Sequence, residues 1–179
     1  MANYVCRAAN PRIPDYLVIK VRVPASTTIY AGSIIAVTTL DTGISNNYQV
    51  YVATKPATAN LGVRMALVIN DGFETLSDGR RPEGQPDYTQ YSYIAGDVVT
   101  AILLVPGLTF EISDDCISGS TTLGCYIEPV DASYLPTVKV SRTSGVKSAL
   151  RVDYIDKNFR LGGNMGGQFA ATNVAIVVD

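Results

Sequence analysis

The sequence predicts an all-β fold, and three observations carry that expectation. Short runs rich in Val, Ile, Thr and Tyr recur at intervals of about ten residues, separated by clusters of Gly, Pro, Asn and Asp. The stretch "LVIKVRV", Leu17 to Val23, alternates aliphatic residues with Lys20 and Arg22, a period of two that gives one dry and one wet face. Two further stretches open on the same phrase, Tyr30-Ala31-Gly32-Ser33-Ile34-Ile35 and Ile94-Ala95-Gly96-Asp97-Val98-Val99. In each, Gly serves a turn, the small polar residue bonds nearby backbone, and the aliphatic pair enters a strand.

Taken in order, the chain begins with an extended N-terminal arm, residues 1–16. Pro11 and Pro14 discourage regular pairing there, and Asn3, Arg7 and Asn10 offer hydrogen-bonding groups. Tyr4, Val5 and Tyr16 give the arm apolar surface to dock on a partner, the alternative being a frayed terminus. A single β-barrel-like domain, residues 17–179, follows. Its expected strands are Leu17 to Val23, Ser33 to Leu40, Tyr48 to Thr54, Val63 to Ile69 and Asp97 to Val105. Leu108 to Ile112, Gly124 to Pro129, Thr137 to Arg142, Ala149 to Tyr154 and Val174 to Val178 complete the set.

Within that series "DVVTAILLV", Asp97 to Val105, is apolar almost throughout, as expected of a central strand covered on both faces. Pro106-Gly107 then fixes φ at one position and permits positive φ at the next, the requirement of a type II turn. The runs on either side are therefore expected to fold back as a hairpin. Helical signals are thin: Ala53 to Leu61 contains a Pro and admits one turn after Lys55, and "DASYL", Asp131 to Leu135, is a second turn candidate. The polar segment Asn70 to Gln90 has no apolar period and is too long for a hairpin turn, so it reads as a long inserted surface loop. Such loops are functional or simply tolerated insertions. This one carries Phe73, Arg80, Arg81 and Tyr88.

Composition bounds the class. Hydrophobic residues make up 47% and charged residues 17%, which argues against disorder, while no apolar segment approaches the ~18 residues of a membrane span. At 179 residues a chain buries about 70% of its unfolded surface, enough for a self-sufficient core. "MANYVCRAANPRIPDY" lacks a basic start followed by an apolar block, so a secretory signal is not expected and synthesis in a cytoplasm is. Fourteen basic and sixteen acidic residues give a formal charge of −2, with the basic ones scattered. Arg80-Arg81 and Lys139 with Arg142 are small exceptions that read as solvated surface, so neither nucleic acid nor membrane is an expected partner.

Residues that carry chemistry are few. No histidine is present, which removes Ser-His and Cys-His nucleophiles, imidazole bases and His-containing metal sites. Cys6, Cys116 and Cys125 are too few for a four-cysteine zinc site. They read as buried thiols, with a Cys116 to Cys125 bridge across a hairpin as the alternative. Asp114-Asp115 is the only adjacent carboxylate pair, and "SDDCISGS" places it in a turn where Asp and Ser accept backbone hydrogen bonds. "LGGNMGGQF", Leu161 to Phe169, lacks the Lys-Ser/Thr end of a phosphate loop and reads as a glycine-rich hairpin loop. Neither an enzyme, nor a cofactor, nor a metal is expected.

One resemblance goes further. Ala31-Gly32, Tyr51 with Ala53, Leu61-Gly62-Val63, Tyr93 with Ala95-Gly96-Asp97-Val98-Val99, Gly107 with Phe110 and Ile112, and Leu123-Gly124 with Pro129 form a spaced series from Tyr30 to Pro129. In this series the chain resembles the capsid decoration, or head cement, proteins of tailed bacteriophages. The resemblance implies a compact β-barrel or β-tulip-like domain. It also implies a virion protein, made in the host cytoplasm, that binds the outer surface of an icosahedral capsid. It implies a homo-oligomer, often a trimer, whose partner is the major capsid protein. The arm and the long loop are then the expected contact elements, through Tyr4, Val5, Arg7, Tyr16, Phe73, Arg80, Arg81 and Tyr88. A second reading, a receptor- or glycan-binding tail or fibre module, draws on eleven Tyr but lacks Trp. A third, an enzyme using carboxylates alone, rests on Asp114 and Asp115.

Overall fold

The computed structural model describes residues 4–10, 12–43, 49–57, 63–70, 92–156 and 172–178. They are all-β. Their strands are β1 (Cys6–Ala8), β2 (Val18–Arg22), β3 (Ile34–Ala36), β4 (Val50–Val52), β5 (Met65–Val68), β6 (Val98–Leu103), β7 (Thr109–Ser113), β8 (Tyr126–Glu128), β9 (Thr137–Lys139), β10 (Ala149–Asp156) and β11 (Thr172–Val178). Two sheets result, a five-stranded one in the order β3-β5-β6-β2-β4 and a six-stranded one in the order β1-β7-β11-β10-β8-β9. Each expected strand overlaps an observed one, most being trimmed at the ends, while β7, β10 and β11 run past the expected bounds to Ser113, to Asp156 and back to Thr172. The segments 71–91 and 157–171 lie outside the described residues, and with them the long loop and the glycine-rich stretch.

The repeated phrase builds the first sheet. In its first copy the Ser33 amide donates to the Tyr30 carbonyl at 3.1 Å, Gly32 takes φ +83°, and Ser33 Oγ accepts from the Tyr30 amide at 3.1 Å. In its second the Asp97 amide donates to the Ile94 carbonyl at 3.1 Å, Gly96 takes φ +94°, and Asp97 Oδ2 accepts from the Ile94 amide at 2.8 Å. Positive φ at the third turn position is what demands glycine in both. Ile29 and Tyr93, the residues just before the two turns, exchange backbone hydrogen bonds of 3.0 and 2.9 Å as an antiparallel bridge. An antiparallel pair of equivalent positions lies on a local two-fold axis. The relation extends outward: Gly32 and Ser33 clasp Val68 of β5 just as Gly96 and Asp97 clasp Val23 beyond β2. A third copy, not singled out in the sequence, sits at Thr122 to Cys125, with Gly124 at φ +80° and Cys125 Sγ accepting from the Thr122 amide at 3.4 Å.

Ladders and bridges curl the five-stranded sheet round on itself. β6 is its middle strand, flanked by β5 and β2, and Val99 to Leu103 are buried as a doubly covered strand requires. β2 runs parallel to β4. On its other side β4 meets the continuation of β3, through bridges Ala36 to Thr54 and Leu40 to Tyr51 and a 3.0 Å bond from the Val52 amide to the Thr39 carbonyl. Arg22 of β2 reaches Asp41 beyond β3 with Nε and Oδ2 2.9 Å apart, an ion pair that braces this seam. Val21, Ile34, Ile35, Met65 and Leu67 fill the interior, and each such burial contributes about 1.5–3 kcal/mol.

Two expectations need correction. The turn at Pro106-Gly107 forms, with Gly107 at φ +93° and the Leu108 amide bonded to the Val105 carbonyl at 3.2 Å, but it does not close a hairpin. β6 stays in the barrel-like sheet while β7 crosses into the second sheet to pair with β1 and β11, so the turn is a corner between layers. The N-terminal residues are not a free arm either: Cys6–Ala8 pairs in register with Phe110 to Ile112. That strand escapes composition because it is three residues long and gains its stability from β7.

The two sheets meet where Gly32 faces the short 3-10 turn Asp114–Cys116. A Cβ at Gly32 would stand 2.5 Å from Cys116 Cβ, whereas one at Gly96 would meet nothing within 4 Å. Gly32→Ala is therefore expected to cost about 2–4 kcal/mol, combining left-handed strain with overpacking. Gly96→Ala carries the strain alone, about 1–2 kcal/mol. Urea unfolding of the two variants checks this, and equal losses would contradict the packing difference.

Candidate interaction surface

Strand directions define the two ends of the barrel-like sheet. At one end lie the starts of β2, β4 and β5 and the finishes of β3 and β6, as the pairs Lys20 to Val50, Ala66 to Leu103 and Ala36 to Met65 require. The repeated turns lie at the other. The first end opens into a groove of about 460 Å³. Tyr16 and Tyr51 supply aromatic walls, Val18, Val37 and Leu103 apolar surface, and Lys20 and Arg64 positive charge. No described lining residue is a carboxylate.

Local structure explains how these side chains are presented. Tyr16 belongs to the 3-10 turn Asp15–Leu17, in which the Leu17 amide donates to the Pro14 carbonyl at 2.9 Å. Leu17 is buried and anchors the turn, so Tyr16 is thrust outward and is 77% exposed. Lys20 sits on the wet face of β2, where its Nζ donates to Thr100 Oγ1 at 2.5 Å. Arg64 lies just before β5, its carbonyl accepting from the Val37 amide at 2.9 Å, and its side chain forms no ion pair among the described residues.

The expected contact residues are separated rather than gathered. Tyr4 stacks on Tyr30, ring centroids 4.0 Å apart and planes 22° apart, at the end opposite the groove. Burial, and then the neighbouring Tyr30, Asp115 and Cys116, push its phenol above the usual range. Val5 is 4% exposed and belongs to the core, which removes it from any outward contact. Arg7 lies on the open face of the second sheet, ion-paired with Glu111. Phe73, Arg80, Arg81 and Tyr88 fall outside the described residues. Lys20, Tyr51 and Arg64 escape the sequence reading as a set because only strand register brings them together.

Asp114 and the three thiols, weighed for chemistry in the sequence, are engaged in holding the fold. Asp114 and Asp115 lie in one 3-10 turn. Asp114 Oδ1 accepts from Thr121 Oγ1 at 2.9 Å and Asn173 Nδ2 at 2.6 Å, side-chain donors rather than the backbone donors anticipated. The three cysteines are free and buried. Cys116 Sγ lies 3.2 Å from Ser113 Oγ and donates to the Val5 carbonyl at 3.5 Å. Asn70 completes this junction, its Oδ1 accepting from the Cys6 amide at 2.6 Å and its Nδ2 donating to the Tyr4 carbonyl at 3.2 Å.

Burial holds the Cys6 thiol well above its ordinary range and pushes Cys116 up from 9.0 to about 12. Above about pH 9 the unfolded chain releases thiol protons that the folded chain keeps. Stability from these groups is thus whole below pH 9.0 and lost as pH rises toward about 12. Denaturant midpoints are expected to hold from pH 8 to about 9 and then to fall as far as pH 11, and Cys116→Ala to flatten that fall. An unchanged slope in that variant would count against the assignment.

Compared with known proteins, the chain matches no protein-family model and no curated protein sequence.

Proposed function

We propose that the chain is a structural virion protein that binds the outer surface of an icosahedral phage capsid and stabilises it. The observation that carries this reading is the groove: an exposed aromatic and cationic surface on a braced barrel-like sheet. By contrast, Asp114 and the thiols considered for chemistry are engaged in holding the fold. This is the arrangement of a module that works by surface complementarity, and the spaced residues from Ala31-Gly32 to Pro129 that resemble head cement proteins point the same way.

The partner in this reading is the major capsid protein, and the working form is a homo-oligomer, a trimer. A single micromolar contact supplies about −8 kcal/mol, and joining several such contacts in one oligomer raises the occupancy by orders of magnitude. Edge strand β1 and the junction at Asn70 change how this is tested. Removing residues 1–16 would strip Val5 and Cys6 from the core, so truncation reports on folding and not on docking.

Purified virions are the direct test. They are expected to contain the chain in a fixed ratio to the shell subunit, and light scattering of the isolated chain to give the mass of three copies. Virions lacking the chain, or carrying it in the low copy number of a tail component, would overturn the reading; a monomer in solution would overturn the trimer.

A further inference from the structure

We propose that the groove at the end of the barrel-like sheet seats an extended, acidic segment of the shell protein, a carboxylate flanked by apolar side chains. This rests on the capsid-binding reading above and names which surface does the binding and what it recognises. The groove's volume of about 460 Å³ suits a few side chains rather than a folded domain. Its wall has two parts with different demands. Val18, Val37 and Leu103, together with the rings of Tyr16 and Tyr51, accept apolar groups. Arg64 adds a positive charge on the same wall.

Charge complementarity selects the occupant. A guanidinium matches a carboxylate through two parallel hydrogen bonds, and Arg64 has no such partner among the described residues. Lys20, the other cation among the lining residues, is held by Thr100, so Arg64 carries the recognition. A neutral glycan would satisfy the tyrosines but leave the Arg64 guanidinium unmatched. A peptide offers carboxylate and aliphatic groups at neighbouring positions, which is what this wall asks for. Recognition is by side chains alone, because β2 is paired on both edges, to β4 and β6.

The experiment is co-sedimentation of the full chain with purified shells stripped of it, comparing wild type, Arg64→Glu, Arg64→Ala and Lys139→Glu. Lys139 is exposed on β9, in the other sheet, and serves as the charge control. Both Arg64 variants are expected to melt with wild type. Arg64→Glu should bind at least tenfold more weakly, Arg64→Ala somewhat less so, and Lys139→Glu within twofold of wild type. Wild-type affinity should also fall as salt rises from 50 to 500 mM. If wild type binds shells and the Arg64 variants bind equally well, the groove assignment is lost while the capsid reading stands. If wild type does not bind shells, both are lost. Wild-type binding to neutral glycans, abolished by Tyr16→Ala, would assign the groove to a different occupant and overturn the proposal.

Discussion

The contact between Cys116 and the backbone of Gly32 is the point on which both layers depend. Gly32 is at once the positive-φ residue of the first repeated turn, the donor to Val68, and a surface against which the Asp114–Cys116 turn closes tightly. From Cys116 the network runs to Ser113 at the end of β7, to Val5 at the start of β1 and, through Asn70, back to the end of β5. Interiors packed to crystal-like density transmit a misfit of this kind rather than absorb it. The chain's first strand is therefore a structural member, and the surface left for partners lies elsewhere.

Strand identity was legible in the sequence because it is a local matter. Alternation in "LVIKVRV" and the apolar run of "DVVTAILLV" each follow from which faces are wet, and the Gly of the repeated phrase follows from backbone sterics. What strands do after a turn is not local. Pro106-Gly107 sets two pairs of dihedral angles, and those are the same whether the chain returns along β6 or leaves for β11. The difference lies in Val177, whose amide donates to the Leu108 carbonyl at 2.8 Å and whose carbonyl accepts from the Gly107 amide at 3.0 Å, from far along the chain. β1 was hidden for the same reason, since Arg7 reads as a polar arm residue until Glu111 stands opposite it.

The surface was less legible than the fold. Tyr16 could be picked out as an exposed aromatic beside Pro14, and the structure does expose it. Arg64 gave no signal, and Tyr51 stood out only as a member of the spaced series, because a groove is made by register between β2, β4, β5 and β6, and register is invisible to composition. Val5 misled in the opposite sense: an apolar residue near a proline-rich start looks available to a partner, but it is buried within its own chain. The internal two-fold through Ile29 and Tyr93 shows what the repetition was for. It sets two equivalent strand entries at one end of the barrel-like sheet and leaves the opposite end free to carry a binding surface.

The central claim, that this free end docks on a capsid, is tested most directly by imaging native particles by electron cryomicroscopy to side-chain detail. Density for this chain is expected on the outside of the shell, with Tyr16 and Arg64 turned toward an acidic segment of the shell subunit. Density on the tail, or a chain on the shell with its groove facing solvent, would contradict it.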